Sequence, residues 1–281
     1  FFAARDYLEI ETPCLIPAPA PEFHIDTLAC EGWFLQPSPE LCMKRLLAAG
    51  YDRIFQICRC FRKGERGARH LPEFTMLEWY RREADYRDLM TECEDLLIEA
   101  AAALGYGDVV TYQGEPLRLG KPWERLTVAE AFARFAPLPV AEALAGDCFD
   151  ELLAIHVEPR LGRGRPTFLC DYPLPLASLA RGKRGEAAVA ERCELYIAGI
   201  ELANAFTELA EEREQRRRFA REEEARRRAG KPHYPSPDKF LESLTDLGDA
   251  AGIALGVDRL VMILADAPDI DAVTAFTPET L

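Results

Sequence analysis

The sequence predicts a mixed α+β fold, with a mainly antiparallel sheet flanked by helices. Three observations carry this. Period-2 stretches at 52–62, 73–81 and 194–209 return on themselves over short loops, as antiparallel strands do. Helical stretches do not alternate with every strand, so hairpin-like returns outnumber β-α-β units. The 281-residue chain is 48% apolar, which is ordinary for a packed core and excludes a disordered chain.

The elements follow in order. Residues 1–16 read as the end of a helix and then a strand at 7–11, stopped by Thr12-Pro13. Residues 39–50 read as a helix with Pro39 near its first turn, Gly50 past its end, and Leu41, Leu46 and Leu47 as apolar positions. The strands at 52–62 and 73–81 are joined by a Gly- and Arg-rich loop. Residues 85–104 read as an amphipathic helix with Leu89, Cys93, Leu96 and Leu97 inward. Residues 105–190 carry helical patterns near 127–135 and 147–156, broken by Pro137, Pro139, Pro159 and Pro166, and otherwise read as scaffold. Residues 194–209 form a hairpin if a two-residue turn falls at Ala198-Gly199. Residues 211–229 read as a charged helix ended by Gly230 and Pro232. Its Glu212/Arg216, Glu214/Arg218 and Glu223/Arg227 spacings suit a solvated outer face. Residues 252–265 read as a Gly-rich strand running into a helix. With no internal repeat and no Gly/Ser linker, 1–281 reads as one domain. Phe1 stands where a helix is already under way, which implies preceding sequence.

The formal net charge is −14, which argues against indiscriminate nucleic-acid binding. A local basic patch at 160–165 with 181–184 stays open, as a contact for an acidic partner. No run of 18 apolar residues exists, so no membrane span is expected. Nine cysteines occur without a C-x-x-C pair, which supports neither a zinc ribbon nor a dithiol site. They read as reduced thiols used as small core residues in a cytoplasmic protein.

Three constellations carry chemistry. In 59–80, alternation puts Gln56, Cys58, Cys60 and Arg62 on one strand face and Phe74, Met76, Glu78 and Tyr80 on one face of the returning strand. An arginine fork suits a phosphate, an aromatic ring suits a purine, and a carboxylate with a phenol suits a cation. A surface hairpin with an exposed ion pair is the competing reading. In 194–209 the turn places Tyr196 opposite Glu201 and Glu194 as its diagonal neighbour, about 7–8 Å away. Two hard carboxylates there suit Mg²⁺, although acids also decorate edge hairpins. In 252–264, Gly252 and Gly256 flank an apolar strand, and Arg259 sits in a helix first turn, where a compensating anion is expected.

These blocks resemble the three signature motifs of class II aminoacyl-tRNA synthetase catalytic domains. DYLEIETP resembles motif 1, FRKGERGARHLPEF motif 2 and GIALGVDRL motif 3. SPELCMKRLLAAGYDRIFQICRCFR, PEFTMLEWY and GIELANAFTEL are similar to the lysyl-tRNA synthetase branch. The stretch 76–81, the segment 213–216 and Ala254 point to the elongation factor P–(R)-β-lysine ligases, which resemble that branch's bare catalytic domain.

The resemblance implies an antiparallel class II sheet, a homodimer through 2–13, ATP and Mg²⁺ as cofactors, and (R)-β-lysine or lysine as substrate. It implies transfer to a lysine of elongation factor P rather than to tRNA. By resemblance, Arg62 and Arg259 are catalytic, and Arg62, Lys63, Gly64, His70, Leu71, Phe74, Glu201, Leu202, Gly256 and Arg259 bind ATP. Ser38, Pro39, Glu40, Glu78, Tyr80, Asn204, Glu208 and Ala254 line the substrate pocket, and Glu194 and Glu201 hold Mg²⁺. Ala254 stands where lysyl-tRNA synthetases have glycine, and its methyl reshapes the pocket. Motif 2 departs from its usual form at Gly64, where a glutamate is common, and at Leu71, where an asparagine is common. Two other readings stay open: a lysine-activating synthetase fragment acting on tRNA, and a catalytically inactive regulatory subunit.

Overall fold

The computed structural model describes residues 1–281. The chain opens with one 3-10 turn at Ala3–Arg5 and a two-residue strand, β1 (Leu8–Glu9), shorter than the helix end and strand expected. The reason is aromatic packing. Phe2 stacks on Phe55 at 4.4 Å and meets Tyr7 and Trp79 edge-on, so burying Phe2 and Tyr7 overrides local pairing. Strands β2 (Leu15–Ile16), β3 (Ala29–Cys30) and β4 (Trp33–Leu35) form a small sheet. Helix α1 (Glu40–Ala48) and strands β5 (Arg53–Phe61) and β6 (Glu73–Arg82) follow as expected. Helix α2 (Tyr86–Ala103) starts at Asp85, whose side chain accepts from the amides of Arg87 and Asp88 in a capping box.

The middle third holds more than the sequence suggested. Strands β7 (Val109–Tyr112) and β8 (Glu115–Arg118) make a hairpin. Strand β9 (Glu124–Thr127) leads into α3 (Val128–Phe135) and α4 (Val140–Ala145), and α5 (Phe149–Leu152) continues as a π-helical turn to Val157. Strand β10 (Thr167–Cys170) is buried at every position, so it shows no alternation for a sequence reading to find. This region builds a core of its own around Phe132, Phe149, Leu169 and Tyr172.

Strands β11 (Arg192–Ile197) and β12 (Ile200–Thr207) form the expected hairpin, with Ala198 and Gly199 at φ +53° and +73° as a two-residue turn requires. Helices α6 (Glu212–Arg228) and α7 (Asp238–Ser243), strand β13 (Ala250–Gly256) and helix α8 (Val257–Leu264) complete the chain. The main sheet has the order β1-β5-β6-β13-β12-β11-β10-β9 and is antiparallel except at β1/β5 and β9/β10. Alternation on β6 divides its faces. Leu77 and Trp79 join Leu89, Met90, Cys93 and Leu97 of α2 in the main core, where each buried aliphatic side chain contributes about 1.5–3 kcal/mol. Met76, Glu78 and Tyr80 line a cleft on the other face.

Helix α6 corrects one expectation. The pairs Glu212–Arg216 and Glu214–Arg218 form at 2.8 and 2.9 Å. Arg227 instead bonds Glu224 at 2.8 Å, because Glu223 turns to His233 at 2.5 Å. Nor is the helix wholly solvated. Arg218 donates to the carbonyls of Ser178 and Ala180, and Arg226 to those of Glu22 and Ile25 and to Asp26. These loop carbonyls need donors, and the arginines supply them.

The basic segments are neutralised in part: Arg163 pairs with Glu115 at 3.1 Å, Arg181 with Glu191 at 2.9 Å and Lys183 with Asp171 at 2.7 Å, while Arg184 stays largely exposed. All nine cysteines are free, and Cys60, Cys93, Cys170 and Cys193 are core residues. Cys14 and Cys30 are exposed, against the core reading.

Candidate active site

The cleft encloses about 900 Å³ over β6, β12 and β13. One end is acidic. Ser38 Oγ donates to Glu78 Oε1 at 2.6 Å, and Tyr80 Oη donates to Glu78 Oε2 at 2.7 Å. Ser38 Oγ also accepts from the Glu40 amide at 3.0 Å, which joins this pair to the start of α1 at Pro39. Glu208 follows β12 and is 1% exposed, with Lys44 Nζ 2.5 Å from its Oε2. Lys44 also pairs with Glu40, one helical turn back. Burial, then the Glu40 charge, pushes the Glu78 carboxyl up to about 7, and burial pushes Glu208 up to about 8.

Register fixes the floor. Ala254 pairs with Glu78 on one side and Asn204 on the other, so its methyl lies between these side chains. Gly252 pairs with Tyr80 and Phe206. A Cβ at Gly252 would stand 2.1 Å from Tyr80 Cε1 and 2.7 Å from Glu208 Oε1. The glycine therefore makes room for the phenol and the carboxylate.

The other end is cationic. Arg62 lies 5.2 Å over the Phe74 ring and 3.9 Å from Glu65. Arg259 donates to the Glu201 carbonyl at 2.7 Å and to His70 Nε2 at 2.6 Å, and its Nη1 is 3.5 Å from Glu201 Oε2. Glu201 is the compensating anion expected for the first turn of α8. Burial and then the Arg259 cation lower the His70 pKa, consistent with a neutral ring accepting at Nε2. Asp258 accepts from the Thr75 amide at 2.6 Å and ties α8 to β6. Leu71, Leu202 and Gly256 also line the cleft.

Lys63 and Gly64 are exposed in the loop outside the cleft. Gly64 has φ +80°, a turn conformation that suits glycine. Glu65, beside it, faces the cleft instead.

The acidic hairpin is less open than its spacing suggested. Tyr196 pairs with Glu201 as expected, but a register shift after Leu195 sets Glu194 opposite Asn204. Glu194 accepts from Tyr172 Oη at 2.5 Å, Tyr196 Oη at 2.7 Å and Arg192 Nη2 at 2.6 Å. Three of its roughly four acceptor positions are filled. Glu201, 40% exposed, faces the cleft. Glu201 thus offers the cleft a single carboxylate beside Arg259, which a hard cation could share with substrate phosphates, while Glu194 behind it is committed to protein donors.

Sequence reasoning missed Lys44, Arg192, Tyr172 and Glu22. Lys44 had a signal, since it follows Glu40 by four residues on a helix. Glu22 had none: it reaches the cleft because Arg226, Glu222 and Lys231 anchor its loop.

An acid-lined end beside an arginine-lined end, on an antiparallel sheet with these three motifs, defines a class II synthetase catalytic domain. The family model of class II tRNA synthetases (D, K and N) matches residues 1–280, and the chain belongs to that family. Within it, the chain is 40% identical to a Salmonella gallinarum protein over 99% of this chain and 90% of that one. It is also 40% identical to one from Enterobacter sp. and 39% to one from Salmonella paratyphi B, with the same coverage. All three are named elongation factor P–(R)-β-lysine ligase.

Proposed function

We propose that this chain activates (R)-β-lysine with ATP and transfers it to a lysine side chain of elongation factor P. The observation that carries this is the opposition, within one cleft, of Glu40 and Glu78, with Glu208 buried behind them, to Arg62 and Arg259. A diamino acid lies with its ammonium groups among the acids and its carboxylate toward the arginines. Its carboxylate oxygen attacks the α-phosphorus of ATP, a P–O bond forms, and pyrophosphate leaves. Arg62 binds the α-phosphate and Arg259 the γ-phosphate, so positioning and electrostatics lower the barrier and no protein nucleophile is needed. Phe74 stacks on adenine, and His70 adds a phosphate contact. In the second step a neutral lysine amine attacks the adenylate carbonyl and AMP leaves.

Glu201, with Glu194 behind it, would hold Mg²⁺, which would supply neutralisation of phosphate charge. Exposed Leu8 and Ile57, on β1 and β5 at the sheet edge, support a homodimer through that edge. No helix is long and apolar enough to cross a membrane. The nine free thiols support a cytoplasmic setting. The net charge of −14 and the partly neutralised basic segments favour a protein acceptor over tRNA.

Amino-acid-dependent ATP–pyrophosphate exchange tests the reading. Strong exchange with (R)-β-lysine and weak exchange with α-lysine is expected. Preference for α-lysine would favour a tRNA-charging enzyme, and no exchange with either would refute the proposal. Ala254→Gly, which removes the methyl between Glu78 and Asn204, is expected to raise activity with α-lysine.

A further inference from the structure

Lys44 has no role in the reaction above, yet its ammonium is buried among the carboxylates that the substrate's ammonium groups need. It is 2% exposed and reaches Glu40 on its own helix and Glu208 at 2.5 Å. From β12 the Phe206 ring flanks Nζ, 4.8 Å from its centroid. From β6 come Glu78 and the Tyr80 hydroxyl, bonded to each other.

Burying an ammonium is costly unless a charge requires it. Glu208 is that charge. Neither of its oxygens has a directed hydrogen bond, so without Lys44 a buried carboxylate would stand alone. Glu22, the next acid, lies within reach of the Glu40 charge, which adds to burial in raising its carboxyl, while Arg62 and Arg192 oppose that rise. Around Lys44 itself the acidic end groups the carboxyls of Glu40, Glu78 and Glu208 with one ammonium.

We propose that Lys44 is a positioning residue whose ammonium holds the Glu40 and Glu208 carboxyl groups in place and sets the charge of the acidic end to suit a substrate with two ammonium groups. The inference rests on the diamino-acid reading above. Burial and then the Glu40 charge lift Glu78 and Glu208, and Lys44 opposes that rise at both. A neutral residue at 44 lets both carboxyls rise further, and the ammonium groups lose their partners over a wider pH range.

The test uses Lys44→Gln and Lys44→Arg in the full chain, by pyrophosphate exchange and by calorimetry with cadaverine, a diamine that cannot be activated. Lys44→Gln is expected to raise the KM for the diamino acid at pH 7 by about tenfold per unit of carboxyl pKa gained. Most of the loss recovers, relative to wild type, at pH 9. The KM for ATP stays unchanged, and Lys44→Arg keeps the wild-type pattern. An unchanged or lower diamino-acid KM at pH 7, or a loss equal at both pH values, overturns the proposal.

If the wild type exchanges with no diamino acid, the functional reading fails, and cadaverine decides the charge role separately. Binding weakened by Lys44→Gln keeps that role, and binding indifferent to it removes it. Should Lys44→Gln not fold, the double variant with Glu208→Gln removes both charges. It leaves Glu40 and Glu78 and the same net charge, so it is expected to keep the preference for cadaverine over pentylamine, and a lost preference overturns the proposal.

Discussion

Gly252→Ala probes the acidic end of the cleft with one methyl. Gly252 sits in the middle of β13 at a backbone conformation open to any residue, so alanine adds bulk without backbone strain. The new Cβ would lie 2.1 and 2.4 Å from two Tyr80 ring carbons and 2.7 Å from Glu208 Oε1. Real contacts are never so short, so the ring and the carboxylate must both move. Tyr80 is 3% exposed and bonds Glu78 at 2.7 Å; Glu208 is held by Lys44 at 2.5 Å. Overpacking of this kind costs about 1–3 kcal/mol. If the loss falls on amino-acid binding, it amounts to about 5- to 150-fold in affinity, at 1.4 kcal/mol per tenfold. The assay is pyrophosphate exchange with amino acid and ATP varied in turn, beside a thermal melt. The KM for the diamino acid should rise within that range while the KM for ATP holds, since the nucleotide end lies toward Gly256. An unchanged amino-acid KM in a folded variant would refute the placement of Tyr80 and Glu208 in the substrate pocket.

Further outcomes follow from the same geometry. Glu78 and Glu208 hold protons up to about 7 and about 8 when folded, against an ordinary 4.5. The folded state therefore binds more protons than the unfolded one between these values, and their contribution to stability falls as pH rises through that window. The thermal midpoint should drop from pH 6 to pH 8, less steeply in Glu208→Gln; a flat wild-type profile would contradict this. Glu201→Gln should raise the Mg²⁺ needed for half-maximal exchange by about tenfold with little change in melting. Glu194→Gln should instead lower the melting temperature, because it leaves Arg192 without its 2.6 Å partner, a loss of about 3–5 kcal/mol for a buried pair. The reverse pattern would exchange their roles. Arg226→Met removes a side chain that is 0% exposed and holds Glu22, Ile25 and Asp26. Limited proteolysis should then cut within 17–27, and resistance equal to wild type would show that the arginine does not anchor this wall.

The sequence by itself determined the strands and helices whose residues face two environments. The alternation along 73–81 separates Leu77 and Trp79 from Glu78 and Tyr80, and the period of 85–104 sets Leu89, Cys93 and Leu97 on one face, because half-buried elements write their burial into the chain. The turn at Ala198-Gly199 was equally legible, since few residue pairs fit it. An element buried on all sides leaves no such trace, which is why β10 is not legible in the sequence; β9, four residues with one buried, is too short to show a period. The charged helix α6 misled because a buried arginine that serves backbone carbonyls looks, in sequence, like a solvated one. The site divides along the same line. Arg62, Phe74, Glu78, Tyr80, Glu201 and Arg259 were found from motif and alternation. Tertiary structure alone decided that Lys44 meets Glu208 across 164 positions, that Glu194 spends its oxygens on Tyr172, Tyr196 and Arg192, and that Gly252 leaves the space Tyr80 fills. Those contacts depend on strand register and helix docking, which bring together side chains far apart in the chain.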